Sequence, residues 1–216
     1  VPTQLDLAGI PVSGPDPTPL SSTPSGRLLL GMLSAMNSDL SRSEVLRWLS
    51  ESPVRAGPDG QDSRGLFADW EVLSRQAGIV KGIGQWEERL SVLGARLARQ
   101  IAVAAGLEET SEAKLEGLRR TSSAVDSLQR FIKDLSDRTS TPSGDTWDGL
   151  SRWIKQLLGH FAWHENDWPL EHMATHERLL GLLDEFGPLD GTTVLPTKEV
   201  FLELLTQLLE APSGRL

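Results

Sequence analysis

Two runs of apolar residues, spaced alternately four and three apart, constrain this chain more than anything else in it. The first is Trp86, Leu90, Leu93, Leu97 and Ile101; the second is Leu115, Leu118, Val125, Leu128, Ile132 and Leu135, with Ser122 where an apolar residue is due. Such spacing holds one stripe on one face of a helix and leaves the other faces polar. The break near Gly106 folds the second run back on the first. The expected product is an antiparallel hairpin of helices of around 20 and 28 residues, about 30 to 40 Å long at 1.5 Å per residue. Either a projecting lever or two long helices of an ordinary bundle satisfies this spacing.

The remaining periodicity is helical as well, and no alternating strand pattern of useful length interrupts it. The expected fold class is therefore all-α, a helical bundle carrying a long antiparallel helix hairpin. Thr23 with Pro24 predicts a capped start for a short amphipathic helix to about Met36, because proline at the first position lacks only an N–H that would be orphaned there. Ser41 and Glu44 read as a reciprocal capping box, and Ser52-Pro53 closes the helix they open. A loop from Pro53 to Gly65, with Gly57-Pro58-Asp59-Gly60 at its tip, is expected to be exposed and proteolytically soft. A third helix is predicted over about Leu66 to Ala77, with Trp70 and Leu73 on its buried side and Gly78 as its left-handed end.

Beyond the hairpin, Asp145 is the predicted cap of a helix with Trp147, Leu150, Ile154, Leu157, Leu158 and Phe161 on one face. Pro169 opens another, bearing Met173, Leu179, Leu180, Leu183 and Phe186. Thr197 starts the last, with Val200, Phe201, Leu204, Leu205, Leu208 and Leu209, and Ala211-Pro212-Ser213-Gly214 ends it. The chain thus divides into an extended proline-rich arm over 1–22, a helical domain over 23–211 with a sub-boundary at 139–145, and the start of a linker over 212–216.

Composition closes several routes. The 216 residues can bury a proper core in one or two domains, and with no cysteine there is no disulfide and no thiolate site. That absence fits a cytoplasmic setting, and no apolar run approaches the ~20 residues needed to cross a membrane. The net charge of −9 argues against an autonomous DNA clamp, since duplex affinity comes largely from cations that displace counterions. A local basic face remains: Arg89, Arg96 and Arg99 fall near one side of one hairpin helix, and Arg119, Arg120, Arg130 and Lys133 sit on the other. The first three are the candidate DNA contacts. The alternative is a solvated face balanced by Glu87, Glu88, Glu112 and Glu116 at helical spacings.

Several words in the first ninety residues stand in a telling order. They are Gly9-Ile10-Pro11, Pro19-Leu20 with Thr23-Pro24 and Gly26-Arg27-Leu28-Leu29, and Ser41-Arg42-Ser43-Glu44-Val45-Leu46-Arg47-Trp48-Leu49; Trp70 through Gly82 and Gln85-Trp86-Glu87-Glu88-Arg89-Leu90 follow. This pattern resembles the helicase-like region of AddB/RexB-type subunits of bacterial ATP-dependent helicase-nucleases, inactivated superfamily I helicases with a PD-(D/E)XK nuclease. No comparable words cover residues 106 to 211. The resemblance implies an internal helical portion of the second motor-like domain and its inserted subdomain, lying between the ATP-binding motifs and the nuclease. It implies no catalytic residue and no cofactor in this segment. It implies as partners the remainder of the same polypeptide, a helicase-nuclease partner subunit and, in the full complex, DNA. On that reading both ends, Val1-Pro2 and Ser213-Gly214-Arg215-Leu216, continue into a larger protein.

One cluster suggests chemistry on its own. His160, His164, His172 and His176 fall within seventeen positions beside Glu165, Asp167, Glu171 and Glu177, each pair four apart, as two metal ligands on one helix face require. Yet His164-Glu165-Asn166-Asp167-Trp168 lacks the second histidine of HExxH, and Trp168-Pro169 breaks the helix between the pairs. Polar caps around a turn explain the cluster more simply, with His176 partly buried beside Met173 and Leu180, and no metal site is assigned. No phosphate-cradling GxxxxGK[ST] or Gly-x-Ser-x-Gly elbow occurs. Glu112-Ala113-Lys114 matches the nuclease's acidic-x-lysine word only inside a predicted helix, away from the strand edge that would hold a divalent ion. An independent helical interaction domain and a histidine-cluster metal enzyme are the alternatives to the helicase-nuclease reading.

Overall fold

A computed structural model describes residues 19–55, 63–107, 111–140, 145–162, 169–193 and 196–211. The proline-rich arm before Pro19, the Gly57-Pro58-Asp59-Gly60 tip, His164 and its neighbours, and the segment after Ala211 lie outside them. The fold is all-α. Among the described residues there are eight α-helices and one isolated antiparallel bridge, Val54 to Ala162. No helix there is long and apolar enough to cross a membrane.

The helices are α1 (Pro24–Asn37), α2 (Arg42–Glu51), α3 (Ser63–Gln76), α4 (Ile83–Ala105), α5 (Glu112–Ser140), α6 (Trp147–Phe161), α7 (Leu170–Asp184) and α8 (Lys198–Glu210). Helix α1 starts as expected: the Thr23 hydroxyl accepts from Gly26 N at 3.1 Å and donates to Leu20 O at 2.7 Å. The capping box of α2 is half formed. Ser41 Oγ accepts from Glu44 N at 3.4 Å, but the Glu44 carboxylate accepts instead from Ser34 Oγ on α1 at 2.6 Å and pairs with Arg47. A cross-helix hydroxyl and a cation thus outcompete the backbone N–H of Ser41, which donates to Ser38 Oγ. Helix α3 begins three residues before the sequence expectation and ends at Gly78, φ +69°, where Ile79 N returns to Ser74 O at 3.0 Å. For α6 the cap is Thr146, one residue after the expected Asp145. Asp190 reaches from a short 3-10 turn (Gly187–Gly191) and accepts from Trp147 N at 2.7 Å and Asp148 N at 3.1 Å. A carboxylate there satisfies orphan donors and meets the positive end of the helix dipole.

Four rings form the centre of the block: Trp48, Trp70, Phe131 and Phe161, from α2, α3, α5 and α6. Trp48 lies 5.7 Å edge-on to Phe161 and 6.1 Å from Phe131, which is 5.1 Å from Trp70. Trp147, Phe186 and Phe201 make a second group that joins α6 to α8. Both belong to a single apolar core running from Leu20 to Leu209. Indole N–H groups lock the helices together: Trp48 donates to Leu28 O at 2.8 Å, Trp86 to Leu40 O at 2.7 Å and Trp153 to Arg138 O at 2.9 Å. The acceptor Leu40 and its neighbour Asp39 hold left-handed backbone, φ +49° and +56°. That conformation costs a non-glycine residue about 1–2 kcal/mol, and it aims the carbonyl at Trp86.

Helices α4 and α5 are the expected hairpin. At 23 and 29 residues they are slightly longer than the spacing suggested, about 35 and 44 Å at 1.5 Å per residue. Trp86, Leu90, Val125, Leu128, Ile132 and Leu135 bury the seam at the base, and Gly94 of α4 faces Val125 of α5. Near the turn only Ala104 and Leu115 are buried, and neither belongs to the main core. The hairpin therefore projects past the block, which decides between the two architectures its spacing allowed.

Candidate functional site

The projecting end carries the most exposed chemistry. Arg96, Arg99 and Gln100 on the last turns of α4, and Lys114 on the first turn of α5, line a groove of about 550 Å³ with Val103, Ala104, Leu107 and Leu118. Positions three and four apart share a helix face, which is why Arg96, Arg99 and Val103 converge, and Leu107 joins them just past the helix end. Val103 and Leu107 are 65% and 59% exposed. No carboxylate lines the groove among the described residues. The carboxylates at the start of α5 are engaged elsewhere: Glu112 lies 3.6 Å from Arg119, and Glu116 lies 3.3 Å from Arg120.

Of the three arginines expected to meet DNA, two reach this groove. Arg89 instead donates to the Gly78 carbonyl, closing the C-terminus of α3, where a cation meets the negative end of the helix dipole. Arg119, Arg120 and Lys133 follow the solvated-face alternative, Lys133 pairing with Asp137 at 3.0 Å. That pairing holds the Lys133 ammonium above its ordinary pKa. Lys114 was noted in the sequence only as part of a chance nuclease word. Folding the two runs back at Gly106 is the signal that sets it opposite Val103.

A second concavity, of about 360 Å³, opens on the block between α5 and the end of α6. It is lined by Arg55, Ser127, Arg130, Asp134 and His160 over Phe131 and Phe161. His160 Nε2 sits 2.5 Å from Asp134 Oδ2, whose other oxygen accepts from Arg138 Nε at 2.7 Å. Arg55 Nη2 donates to the His160 carbonyl at 2.9 Å, beside the Val54–Ala162 bridge. The His160 ring nitrogen is engaged by Asp134 rather than by Ser127. Residues 55 and 160 are brought together by tertiary pairing alone, and sequence spacing gives no sign of it.

Three of the four histidines, His160, His172 and His176, lie among the described residues. Helix α6 ends at Phe161, so no continuous helix carries His160 toward position 164, and His164 itself lies outside the described residues. His172 and His176 share α7, where His176 Nδ1 lies 3.1 Å from Ser25 Oγ on α1. Among the described residues no group of three side chains could hold a metal ion.

A half-buried cation serves structure. Lys198, at the start of α8, donates to Thr139 O at 2.9 Å at the end of α5 and lies 5.0 Å over the Trp153 ring. Burial pushes its pKa down, while the α5 carbonyl and the indole face offset part of that desolvation. The next residue, Glu199, is held below the ordinary carboxylate value by backbone N–H donors at the helix start and by Thr197. No protein-family model matches this chain, and no curated protein and no solved structure matches it either.

Proposed function

We propose that this chain is a non-catalytic helical brace of a bacterial DNA break-processing machine of the helicase-nuclease kind, working in the cytoplasm. The observation that carries the reading is where the AddB/RexB-like words meet. Gly31 of α1 leaves room for Trp48 of α2, and an added Cβ there would lie 2.5 Å from the ring. Trp48 bonds to Leu28, Arg42 N donates to Val80 O at 2.8 Å, Gly82 N donates to Asp39 O at 2.7 Å, and Trp86 bonds to Leu40. The words and the residues beside them, up to 46 positions apart, are thus in contact, as expected of a single structural unit within a larger protein. From that unit the hairpin extends as an arm.

In this reading the block packs on a motor-like core as an accessory subdomain. The arm shapes the DNA path or meets the partner subunit, while ATP hydrolysis and cleavage belong to other parts of the parent protein. Purified alone, the chain is expected neither to hydrolyse ATP nor to degrade DNA. The decisive experiment is an in-frame chromosomal deletion of residues 19–211, followed by survival after induced double-strand breaks. Sensitisation equal to loss of the whole gene is expected; survival like that of the parent strain sinks the assignment.

A further inference from the structure

We infer that the groove at the hairpin tip is a docking site for an acidic amphipathic helix of a partner protein. Its walls join two chemistries that one ligand must satisfy together. Val103, Leu107 and Leu118 offer apolar surface, and Arg96, Arg99 and Lys114 rim it with positive charge and no lining carboxylate among the described residues. Val103 and Leu107 stand exposed in adjoining turns, an arrangement that marks interaction surfaces when rimmed by polar groups. A groove of about 550 Å³ falls within the ~300–1,000 Å³ typical of binding clefts.

Charge complementarity selects the occupant. From Arg89 to Leu107 the chain has three arginines and no acidic residue, although the whole carries −9. The groove lining itself holds Arg96, Arg99 and Lys114 and no carboxylate among the described residues, a positive site on an acidic protein. Glu108 and Glu109 follow Leu107 in the sequence and lie outside the described residues. A helix with apolar residues at i, i+3 or i+4, and i+7 seats them in such a groove, and carboxylates flanking them meet the three cations. Single-stranded nucleic acid fits less well. Its bases need aromatic platforms, and the groove lining contains no aromatic side chain.

The proposal concerns the tip alone and does not depend on the break-processing reading. It is tested by panning a display library of helical peptides of about 15 residues, near the minimum length for an isolated helix, on the whole 216-residue chain. Selected peptides are expected to carry Asp or Glu beside Leu, Ile or Phe at helical spacing. Their affinity should fall at least about tenfold, roughly 1.4 kcal/mol, in both R96E/R99E and V103S/L107S. The control Arg120→Glu, outside the groove lining, should leave affinity unchanged. Raising ionic strength from about 0.05 to about 0.5 M should weaken binding to the parent chain but not residual binding to R96E/R99E. All four substituted positions are exposed, and circular dichroism of each variant checks that it folds. The proposal is overturned if no peptide is selected, if selected peptides lack the acidic-apolar pattern, or if both groove variants bind as the parent does. It is equally overturned if these variants abolish binding of oligodeoxythymidine, or self-association in sedimentation, while peptide binding persists.

Discussion

Around Trp48 the polar and apolar groups of α1, α2 and α3 end on one another, whereas at the hairpin tip comparable groups end on solvent. Both regions are helical, and both carry glycine, arginine and large apolar side chains. In the block, two glycines of α1 are held in contact: Gly31 faces the Trp48 ring, and a Cβ on Gly26 would fall 1.8 Å from the Leu20 carbonyl oxygen. Toward the tip Gly117 faces nothing within 4 Å. Arginine in the block closes a helix, as Arg89 does on α3; at the tip Arg96 and Arg99 rim an open groove. The difference separates residues that make the fold from residues the fold holds out for something else.

The largest expected effect lies at the centre of the block. Trp48 is 1% exposed, touches two phenylalanines and donates to Leu28 O. Trp48→Ala should cost about 3–5 kcal/mol, the range for removing a large buried aromatic. Urea unfolding measures it, and a loss below about 1 kcal/mol, the scale of a surface change, would mean the block is not the fold's centre.

Gly31→Ala and Gly117→Ala sharpen the comparison because one chemical change should have opposite signs. On an open helical face, alanine in place of glycine gains up to about 1 kcal/mol, and Gly117 meets that condition. At Gly31 the new methyl would press on Trp48, and overpacking should cost about 1–3 kcal/mol. Equal shifts in unfolding midpoint would erase the distinction between the two regions.

Two further tryptophans test hydrogen bonding within the block at matched size. Trp86 and Trp70 are both fully buried, but Trp86 donates to Leu40 O while Trp70 Nε1 has no partner among the described residues. Replacement by phenylalanine removes similar volume at each. Trp86→Phe should therefore be the more damaging by about 1 kcal/mol, the net worth of one such bond. Equal losses would show that the indole bond to the left-handed Leu40 contributes nothing.

What the sequence disclosed follows the range of the interactions. Helix starts at Thr23 and Thr197, the stop at Gly78 and the register of α4 on α5 are written in local spacing, and the structure has them there. Local spacing is silent where a distant group reaches in. Glu44 left its own helix start for Ser34 and Arg47. The start of α6 acquired Asp190 from more than forty residues away, and Arg89 went to a carbonyl rather than to a shared basic face. In the candidate groove, Arg96 and Arg99 were legible because they lie one turn apart on one helix. Lys114 and the cleft around His160 were not, since they depend on how separate helices meet.

The smallest effect is the one that most directly challenges the comparison. Val103 and Leu107 are large apolar residues within a regular hairpin, and by type alone they would be assigned to its core. Their exposure of 65% and 59% says that replacing them removes little buried surface. Substitution well away from packed features usually changes stability by less than about 0.5 kcal/mol. The double variant V103S/L107S should therefore unfold within about that margin of the parent, and serine's lower helix propensity accounts for a few tenths of it. Urea titrations of both proteins, with unchanged dependence on denaturant, decide the matter. A loss above about 1 kcal/mol, the scale of real burial, would mean that these side chains pack against the chain itself, leaving no free face at the tip to receive a partner.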